Sequence, residues 1–159
     1  MDITDESIAA VEAEDAALVL AHFDNDDAWW LGNRIRELAA ERQLAIGFEI
    51  MRGTTSLLRG LLPGAVDDNY TFLTRKIALT ARFGKASFAV SLKFWRDPAL
   101  VERWALDTRL YALTGGALPL RIAGTGIVGA FAVSGAPPHI DHRLAVDALG
   151  DLIQHQNLA

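Results

Sequence analysis

Apolar residues recur along the chain with two periods, and these periods predict where helices and strands lie. Between residues 24 and 43 the apolar positions are three or four residues apart, which is the spacing of one face of an amphipathic helix. Asp and Asn before such a segment are typical of a helix start, since their side chains accept free backbone N–H groups. On these grounds helices are predicted at about 5–22, 24–43, 69–84 and 98–113, with a final helix after Asp141.

Strands are predicted where apolar residues alternate with polar ones or form short continuous runs. In the segment 87–95, Phe88, Val90, Leu92 and Phe94 share one side, and this period of two is typical of a strand. Glycines between neighbouring runs indicate hairpin turns. Strands are predicted at 44–51, 54–62, 87–95, 119–123 and 127–134.

The order of these elements predicts the fold class. Hairpins toward both ends of the chain argue against a doubly wound parallel sheet. The sequence has no repeat, linker or low-complexity segment, and 159 residues suit one domain with a sizeable core. We therefore expect a single α/β domain over residues 1–159, in which an antiparallel sheet of about five strands forms a sandwich with packed helices.

Composition narrows the classes of function. The chain has 15 basic and 20 acidic residues, a net charge of −5, and so lacks the basic surface expected of a nucleic-acid-binding protein. Without cysteine it has no thiolate nucleophile and no Cys-ligated metal centre. The acidic N-terminus does not resemble a signal peptide, and no apolar run approaches the ~20 residues of a membrane helix. We expect a cytoplasmic protein that binds neither nucleic acid nor membrane.

Lys76 is the first candidate binding residue. The predicted helix 69–84 places it on one face with Phe72, Leu79 and Phe83. A lysine among apolar side chains either extends along the edge of the core to reach water or binds an anion. Both interpretations remain open on the sequence alone.

The second candidate is the corner between the last predicted strand and the last helix. Gly129 removes a side chain within the strand, so another group can approach the backbone. Ser134 and Gly135 end the strand, and Asp141 can cap the helix, whose N-terminal N–H groups favour an anion. His142 begins the apolar stripe of that helix, so its ring is expected to point inward. The corner is either a ligand site or a tight turn with an ordinary cap and a core histidine.

Two further patterns are weaker. Gly115 and Gly116 either adopt positive φ and expose N–H groups to a ligand, or form an ordinary loop. His139 and His142 have a spacing that holds a metal ion on one helix face, but no third ligand can be assigned, and we predict no metal site. The sequence has no phosphate-loop, nucleophile-elbow or zinc-protease motif, so no catalytic set is assigned.

Taken together, these motifs resemble the haem-degrading-domain family of HbpS-like and GlcG-like proteins. The resemblance lies in a Gly-Gly-x-x-Pro loop, a G-x-V-G-x-x-x-V-S-G strand and an Asp-His pair. The segments FDNDDAWWLG and NYTFLTRKIALTARFGKAS further resemble a branch of small uncharacterised proteins within that family. The matching residues are Gly115, Gly116, Pro119, Gly126, Val128, Gly129, Val133, Ser134, Gly135, Asp141 and His142.

The resemblance covers roughly residues 20–152 and implies an α/β fold with an antiparallel sheet, and compact homo-oligomers. It also implies that haem is a candidate ligand, since some members of the family bind haem or iron. The branch often has Trp at the position of Phe72 and Asn at that of Ala78. This chain therefore lacks a polar group beside Lys76, and a ligand that needs that amide would bind less well.

Three functions fit the sequence. In the first, which we favour, a small anionic or tetrapyrrole ligand lies between the Lys76 helix and the glycine-rich loops, with His142 as a candidate axial ligand. In the second, an enzyme acts on a small acid or carbonyl compound, with Lys76 or the Asp141–His142 pair as acid or base. The third is a homo-oligomeric scaffold held together by tryptophan side chains. Those tryptophans are Trp29, Trp30 and Trp95.

Overall fold

The computed structural model describes residues 2–159. Within them the chain forms helices α1 to α6 and strands β1 to β4. The elements are α1 Asp5–Ala17, α2 Asn25–Glu41, β1 Gly47–Arg52, β2 Thr55–Leu61, α3 Asp68–Phe83, α4 Ser87–Arg96, α5 Leu100–Arg103, β3 Ala117–Ile122, β4 Gly126–Ser134 and α6 Pro138–Leu158.

The strands form one antiparallel sheet in the order β2-β1-β4-β3. β1 and β4 come from different hairpins and pair at its centre, with Gly47 opposite Ser134 and Arg52 opposite Gly129. The predicted α/β fold with an antiparallel sheet is therefore confirmed. Four strands are present where about five were predicted, because the segment 87–95 does not join the sheet.

The segment 87–95, predicted as a strand, lies in helix α4, so that prediction is wrong. Its alternating apolar residues also contain two pairs that are four residues apart, which is a helical spacing. Phe88 and Leu92 pack with α1, whereas Val90 and Phe94 pack with α3. A period of two therefore arises here from a helix that is buried on two sides.

Two predicted helices are shorter than expected. After α5 the chain turns at Ala105, whose φ of 48° is left-handed, so the helix predicted over 98–113 ends early. α1 ends at Ala17, and Leu20 instead forms a parallel bridge with Ile122 at the edge of β3. In both places a turn and a tertiary contact end the helix before its apolar pattern does.

The ends of α2 and α3 follow the local sequence signals. The Asp24 carboxylate accepts the backbone N–H of Asp27, and the Asp27 carboxylate accepts that of Asp24, which caps α2 reciprocally. Gly84 has a φ of 63°, and its N–H donates to the carbonyl oxygen of Thr80 to close α3. These helix ends are confirmed to within a few residues.

Helices cover both faces of the sheet, as the predicted sandwich requires. α2 and α6 pack on the face that carries Phe131, where the largest apolar cluster lies. α3 packs on the other face, where Ala130 and Ala132 let the helix come close. Because β4 ends at Ser134 between these layers, residues of α3 and α6 can meet beyond it. None of the helices formed by residues 2–159 is long and apolar enough to cross a membrane.

Candidate functional site

Lys76 is buried at the corner between β4 and α6. Its side chain carries the positive charge of an ion pair and is nevertheless only 2% exposed. The Nζ atom donates hydrogen bonds to the Oδ2 atom of Asp141 and to the carbonyl oxygen of Val133, both at 2.9 Å. Lys76 therefore does not extend along the core edge to water, and its anionic partner is a residue of the same chain.

Asp141 is the other half of this ion pair. Its carboxylate also accepts the backbone N–H groups of Gly135 at 3.2 Å and Ala136 at 3.1 Å. α6 begins at Pro138, and no side chain among residues 2–159 caps it, so the prediction that Asp141 caps this helix is wrong. Pro138, the first residue of the helix, has no backbone N–H that a capping side chain would have to accept. The carboxylate instead closes the loop that precedes the helix.

Burial opposes both charges of the pair. Removal from water lowers the pKa of Lys76, and the nearby Asp141 carboxylate opposes that shift. Removal from water likewise raises the pKa of Asp141, against the ammonium group and the two backbone donors. The hydrogen bonds to the carboxylate favour the charged pair, while burial brings the neutral pair closer in free energy.

The glycine pair before β3 lets the backbone pack directly on the ion pair. Gly116 has a φ of +124°, and a Cβ atom there would overlap the carbonyl oxygen of Val133 and lie 3.0 Å from the Nζ atom of Lys76. A Cβ atom on Gly115 would overlap the carbonyl oxygen of Pro138. Both positions therefore need glycine so that the loop can approach α6 and the end of β4.

Gly135 belongs to the same corner, whereas Gly129 does not. Gly135 has a φ of +149°, and a Cβ atom there would overlap the carbonyl oxygen of Ala45. Gly129 lies further back in β4, where a Cβ atom would overlap the carbonyl oxygen of Met51 in β1. Its missing side chain lets two strands approach each other. The structure therefore does not bring Gly129 to the candidate site.

His142 points into the core, as predicted, but it does not join the ion pair. Its ring centre lies 4.9 Å from that of Phe88, and its Nε2 atom is 3.5 Å from the Oε1 atom of Glu14 on α1. Neither ring nitrogen has a hydrogen-bond partner within the described part of the chain, and burial lowers the pKa to about 4. Because the Asp141 carboxylate is bonded to Lys76, Asp141 and His142 do not form an acid–base dyad.

A cleft of about 170 Å³ opens beside the ion pair. Lys76 lines this cleft and carries three N–H donors, of which Asp141 and Val133 accept two. Among residues 2–159, Nζ thus has two acceptors for its three donors. The cleft is lined by Lys76, Ser134, Gly135 and Asp141, which the sequence indicated, together with Asn69, Phe72, Thr114 and Ala136.

Sequence reasoning did not assign the last four lining residues to the site. Phe72 and Asn69 precede Lys76 by four and seven residues, so helical spacing alone puts them on its face of α3. Thr114 directly precedes the glycine pair, and Ala136 follows Gly135. These four residues could have been identified from their positions in the sequence relative to the predicted residues.

A second groove, of about 380 Å³, lies on α4 and α6. Its walls are formed by Phe88, Trp95 and Pro138, and His139 lines it as well. Trp95 is 38% exposed, so the groove presents aromatic surface to the solvent. The groove is larger and more apolar than the cleft beside Lys76.

Candidate metal ligands do not gather at the predicted histidine pair. His139 is exposed and His142 is buried, so the two imidazoles face different surroundings. Within residues 2–159 one group of three candidate ligands lies close together, at the start of α2. It consists of His22, Asp24 and Asp27. Hydrogen bonds of the helix cap account for the position of these side chains.

Comparison with known sequences finds relatives over nearly the whole chain. The model of a family described as haem degrading protein HbpS-like matches residues 23–150. A UPF0303 protein of Streptomyces coelicolor is 40% identical over 90% of this chain and 91% of its own length. A UPF0303 protein of Paraburkholderia phymatum is 41% identical over 94% of this chain and 90% of its own length.

Solved structures share the fold. The Ybr137w protein has a TM-score of 0.85 and 26% identity, over 92% of this chain and 87% of that chain. HbpS has a TM-score of 0.67 and 16% identity, over 83% of this chain and 90% of that chain. A PduOC:Heme complex has a TM-score of 0.67 and 20% identity, over 83% of this chain and 94% of that chain. The chain thus belongs to the HbpS-like family of haem-degrading-domain proteins, the family that its motifs resemble.

Proposed function

We propose that this protein binds a small carboxylic acid in the cleft beside Lys76 and Asp141. The observation that carries the proposal is a buried lysine that lines the cleft and that, among residues 2–159, donates to Asp141 and Val133 only, two of the three hydrogen bonds that an ammonium group can make. The third N–H of the ammonium group can donate to a ligand oxygen. The cleft of about 170 Å³ has room for roughly five or six waters of ~30 Å³ each, which suits an acid of a few non-hydrogen atoms.

The ligand would meet an ion pair whose charges already cancel. Its carboxylate can replace Asp141 as the partner of Lys76 only if Asp141 gains a proton. Burial raises the pKa of Asp141, so this protonation costs less than for an exposed carboxylate. If the ligand replaces Asp141 in this way, its binding is coupled to uptake of one proton, and the net charge of the buried cluster is conserved.

The other lining residues complete a site for a small acid. Ser134 and Thr114 bring hydroxyl groups to the cleft, and these can donate to the second carboxylate oxygen. Phe72, which is 36% exposed at the edge of the cleft, offers apolar surface to the rest of the molecule. A small acid would thus meet one cationic donor, two hydroxyl donors and an aromatic wall.

Isothermal titration calorimetry with acetate and pyruvate tests this site. We expect Lys76→Met to abolish binding, and Lys85→Met, which removes an exposed lysine held by Glu12, to leave it unchanged. Ser134→Ala is a milder variant, for which we expect weaker binding. Its circular dichroism spectrum should match that of the wild type and so show that the fold is kept. Unchanged affinity in both Lys76→Met and Ser134→Ala would place the ligand elsewhere.

Haem is the second candidate ligand, because the family description and the name of the PduOC:Heme complex both mention it. The cleft beside Lys76 does not fit a haem. Pockets for drug-sized ligands measure roughly 300 to 1,000 Å³, whereas this cleft measures about 170 Å³. His142, the candidate axial ligand predicted from the sequence, is 5% exposed and lies against Glu14 of α1.

The groove on α4 and α6 fits a haem better than the cleft does. Its walls of Phe88, Trp95 and Pro138 are apolar, and His139 places an imidazole beside them. We therefore propose His139 rather than His142 as the residue that would ligate haem iron. A haem titration followed by visible absorbance tests this. We expect a saturable shift of the Soret band that His139→Ala removes and His142→Leu keeps; a shift that survives His139→Ala contradicts the assignment.

We also propose that the protein acts as a homo-oligomer. Trp29, Trp95 and Trp104 are 59%, 38% and 51% exposed, and aromatic side chains are enriched in interface cores. Trp30, which the sequence grouped with Trp29 and Trp95, stacks on His155 of the same chain with ring centres 4.6 Å apart. Size-exclusion chromatography with light scattering tests this proposal, and a monomer at every concentration would contradict it.

A further inference from the structure

We propose that the Lys76 amine reacts with a small 2-oxo acid in the cleft and forms an imine, so that the site recognises a carbonyl group as well as a carboxylate. The inference rests on the proposed function, because it needs the cleft to be the ligand site. It extends the proposed function by assigning a reversible covalent step to Lys76, with Asp141 as the group that transfers protons.

Lys76 differs from the other two lysines of the chain in the way this reaction requires. Lys85 and Lys93 are 44% and 40% exposed, and both bind the carboxylate of Glu12. Lys76 is 2% exposed. An amine attacks a carbonyl carbon only when it is unprotonated, and burial favours the unprotonated form. Of the three lysines, Lys76 is therefore the one whose surroundings favour the nucleophile.

Asp141 can both take and return the proton, since its Oδ2 atom is 2.9 Å from the Nζ atom of Lys76. The carboxylate removes a proton from Nζ, the nitrogen lone pair attacks the carbonyl carbon, and Asp141 returns that proton to the former carbonyl oxygen. Asp141 then removes a second proton from the nitrogen to give a neutral carbinolamine. The C–O bond then breaks as Asp141 protonates the leaving oxygen. The ammonium group and the ketone thus yield a protonated imine and one water, the Asp141 carboxylate is regenerated, and no oxidant or reductant is needed.

The surroundings of the Nζ atom hold it in one place. The carbonyl oxygen of Val133 accepts a hydrogen bond from Nζ at 2.9 Å, which fixes the amine beside the cleft. Gly116 has no side chain, and a Cβ atom there would lie 3.0 Å from Nζ. Ser134 and Thr114 line the same cleft, where their hydroxyl groups can bind the carboxylate of a 2-oxo acid while its carbonyl faces Lys76.

Reductive trapping tests the inference on the full-length protein. The protein is incubated with pyruvate, sodium borohydride is added at short intervals, and peptide mapping by mass spectrometry locates the carboxyethyl group. Lys85 and Lys93 are internal controls for the reaction of exposed amines. We expect Lys76 to be labelled at least about tenfold faster than either of them, and excess acetate to slow labelling at Lys76 alone.

Two variants separate the imine from simple binding. Lys76→Arg keeps the cation and removes the nucleophile, so we expect pyruvate to bind without being trapped at residue 76. Lys93→Arg is the matched control and should leave trapping at Lys76 unchanged. If wild-type protein binds pyruvate in calorimetry but is labelled equally at all three lysines, the imine is refuted and the proposed function stands. If pyruvate and acetate both fail to bind, both proposals fall.

Discussion

Lys76 on α3 and Asp141 on α6 form an ion pair with a Nζ–Oδ2 distance of 2.9 Å and side chains that are 2% and 1% exposed. The two residues are 65 positions apart in the sequence and belong to helices on opposite faces of the sheet. They meet beyond the end of β4, where Val133 and the loop after Ser134 supply their other hydrogen bonds. The pair therefore joins the two helical layers at the cleft that we propose as the ligand site.

Removing one partner of this pair should destabilise the fold strongly. Lys76→Met leaves a buried carboxylate without its cation, and a broken buried ion pair typically costs about 3–5 kcal/mol. We expect a loss of this size in the free energy of unfolding measured in urea. The double variant Lys76→Met, Asp141→Leu removes both charges and should recover much of the loss. If Lys76→Met costs less than about 1 kcal/mol, the pair is not a structural link.

Gly116 should tolerate a methyl group much less well than another glycine with positive φ. Gly116→Ala would place Cβ against the carbonyl oxygen of Val133 and near Lys76. At Gly124, φ is +74° and, apart from its two chain neighbours, no described residue lies within 4 Å of the Cβ position, so Gly124→Ala reports backbone strain alone. We expect a cost of about 1 kcal/mol at Gly124 and clearly more at Gly116 in urea unfolding. Equal costs would mean that the loop moves away from the ion pair without penalty.

Stability should fall as the pH is lowered from 6.5 toward 4. Burial lowers the pKa of His142 from 6.5 to about 4, so the unfolded chain binds more protons than the folded chain in this window. The neutral imidazole thus contributes up to about 3 kcal/mol above pH 6.5, and this contribution is lost toward pH 4. The charged groups that influence it are Glu14 on α1 and Arg143 and Asp147 on α6.

The variant His142→Leu isolates this effect, because other titrating groups are common to both proteins. Between pH 7 and pH 4, we expect the free energy of unfolding of the wild type to fall by about 2–3 kcal/mol more than that of the variant. Parallel curves over this range would show that the pKa of His142 is the same in the folded and unfolded chains, and would contradict this prediction.

Binding of acetate should be accompanied by proton uptake. If the ligand carboxylate replaces Asp141 as the partner of Lys76, Asp141 takes up close to one proton, and the affinity rises by up to about tenfold per pH unit as the pH falls toward the pKa of acetic acid. Calorimetry in two buffers of different ionisation enthalpy measures the number of protons. Zero uptake at pH 7 would show that the acid binds beside an intact ion pair, through the free N–H of Lys76 alone.

Local signals in the sequence determined several elements of this fold. The Asp24–Asp27 cap needs residues only three apart, and the left-handed residue that closes α3 needs only a glycine at Gly84. The hairpin of β3 and β4 likewise follows from apolar runs on either side of Gly124. The sequence also indicated four residues that line the cleft, because an unusual lysine and an unusual corner stand out locally.

Tertiary structure alone decided the rest. The spacing of Phe88, Val90, Leu92 and Phe94 satisfies both a strand and a helix, and packing against α1 and α3 selects the helix. The partner of Lys76 lies far away in sequence, so only the meeting of the two helical layers shows that Asp141 pairs with Lys76 and not with His142. Periodicity describes which side of an element is apolar. It does not specify which element covers that side, and the chemistry of this cleft depends on that second choice.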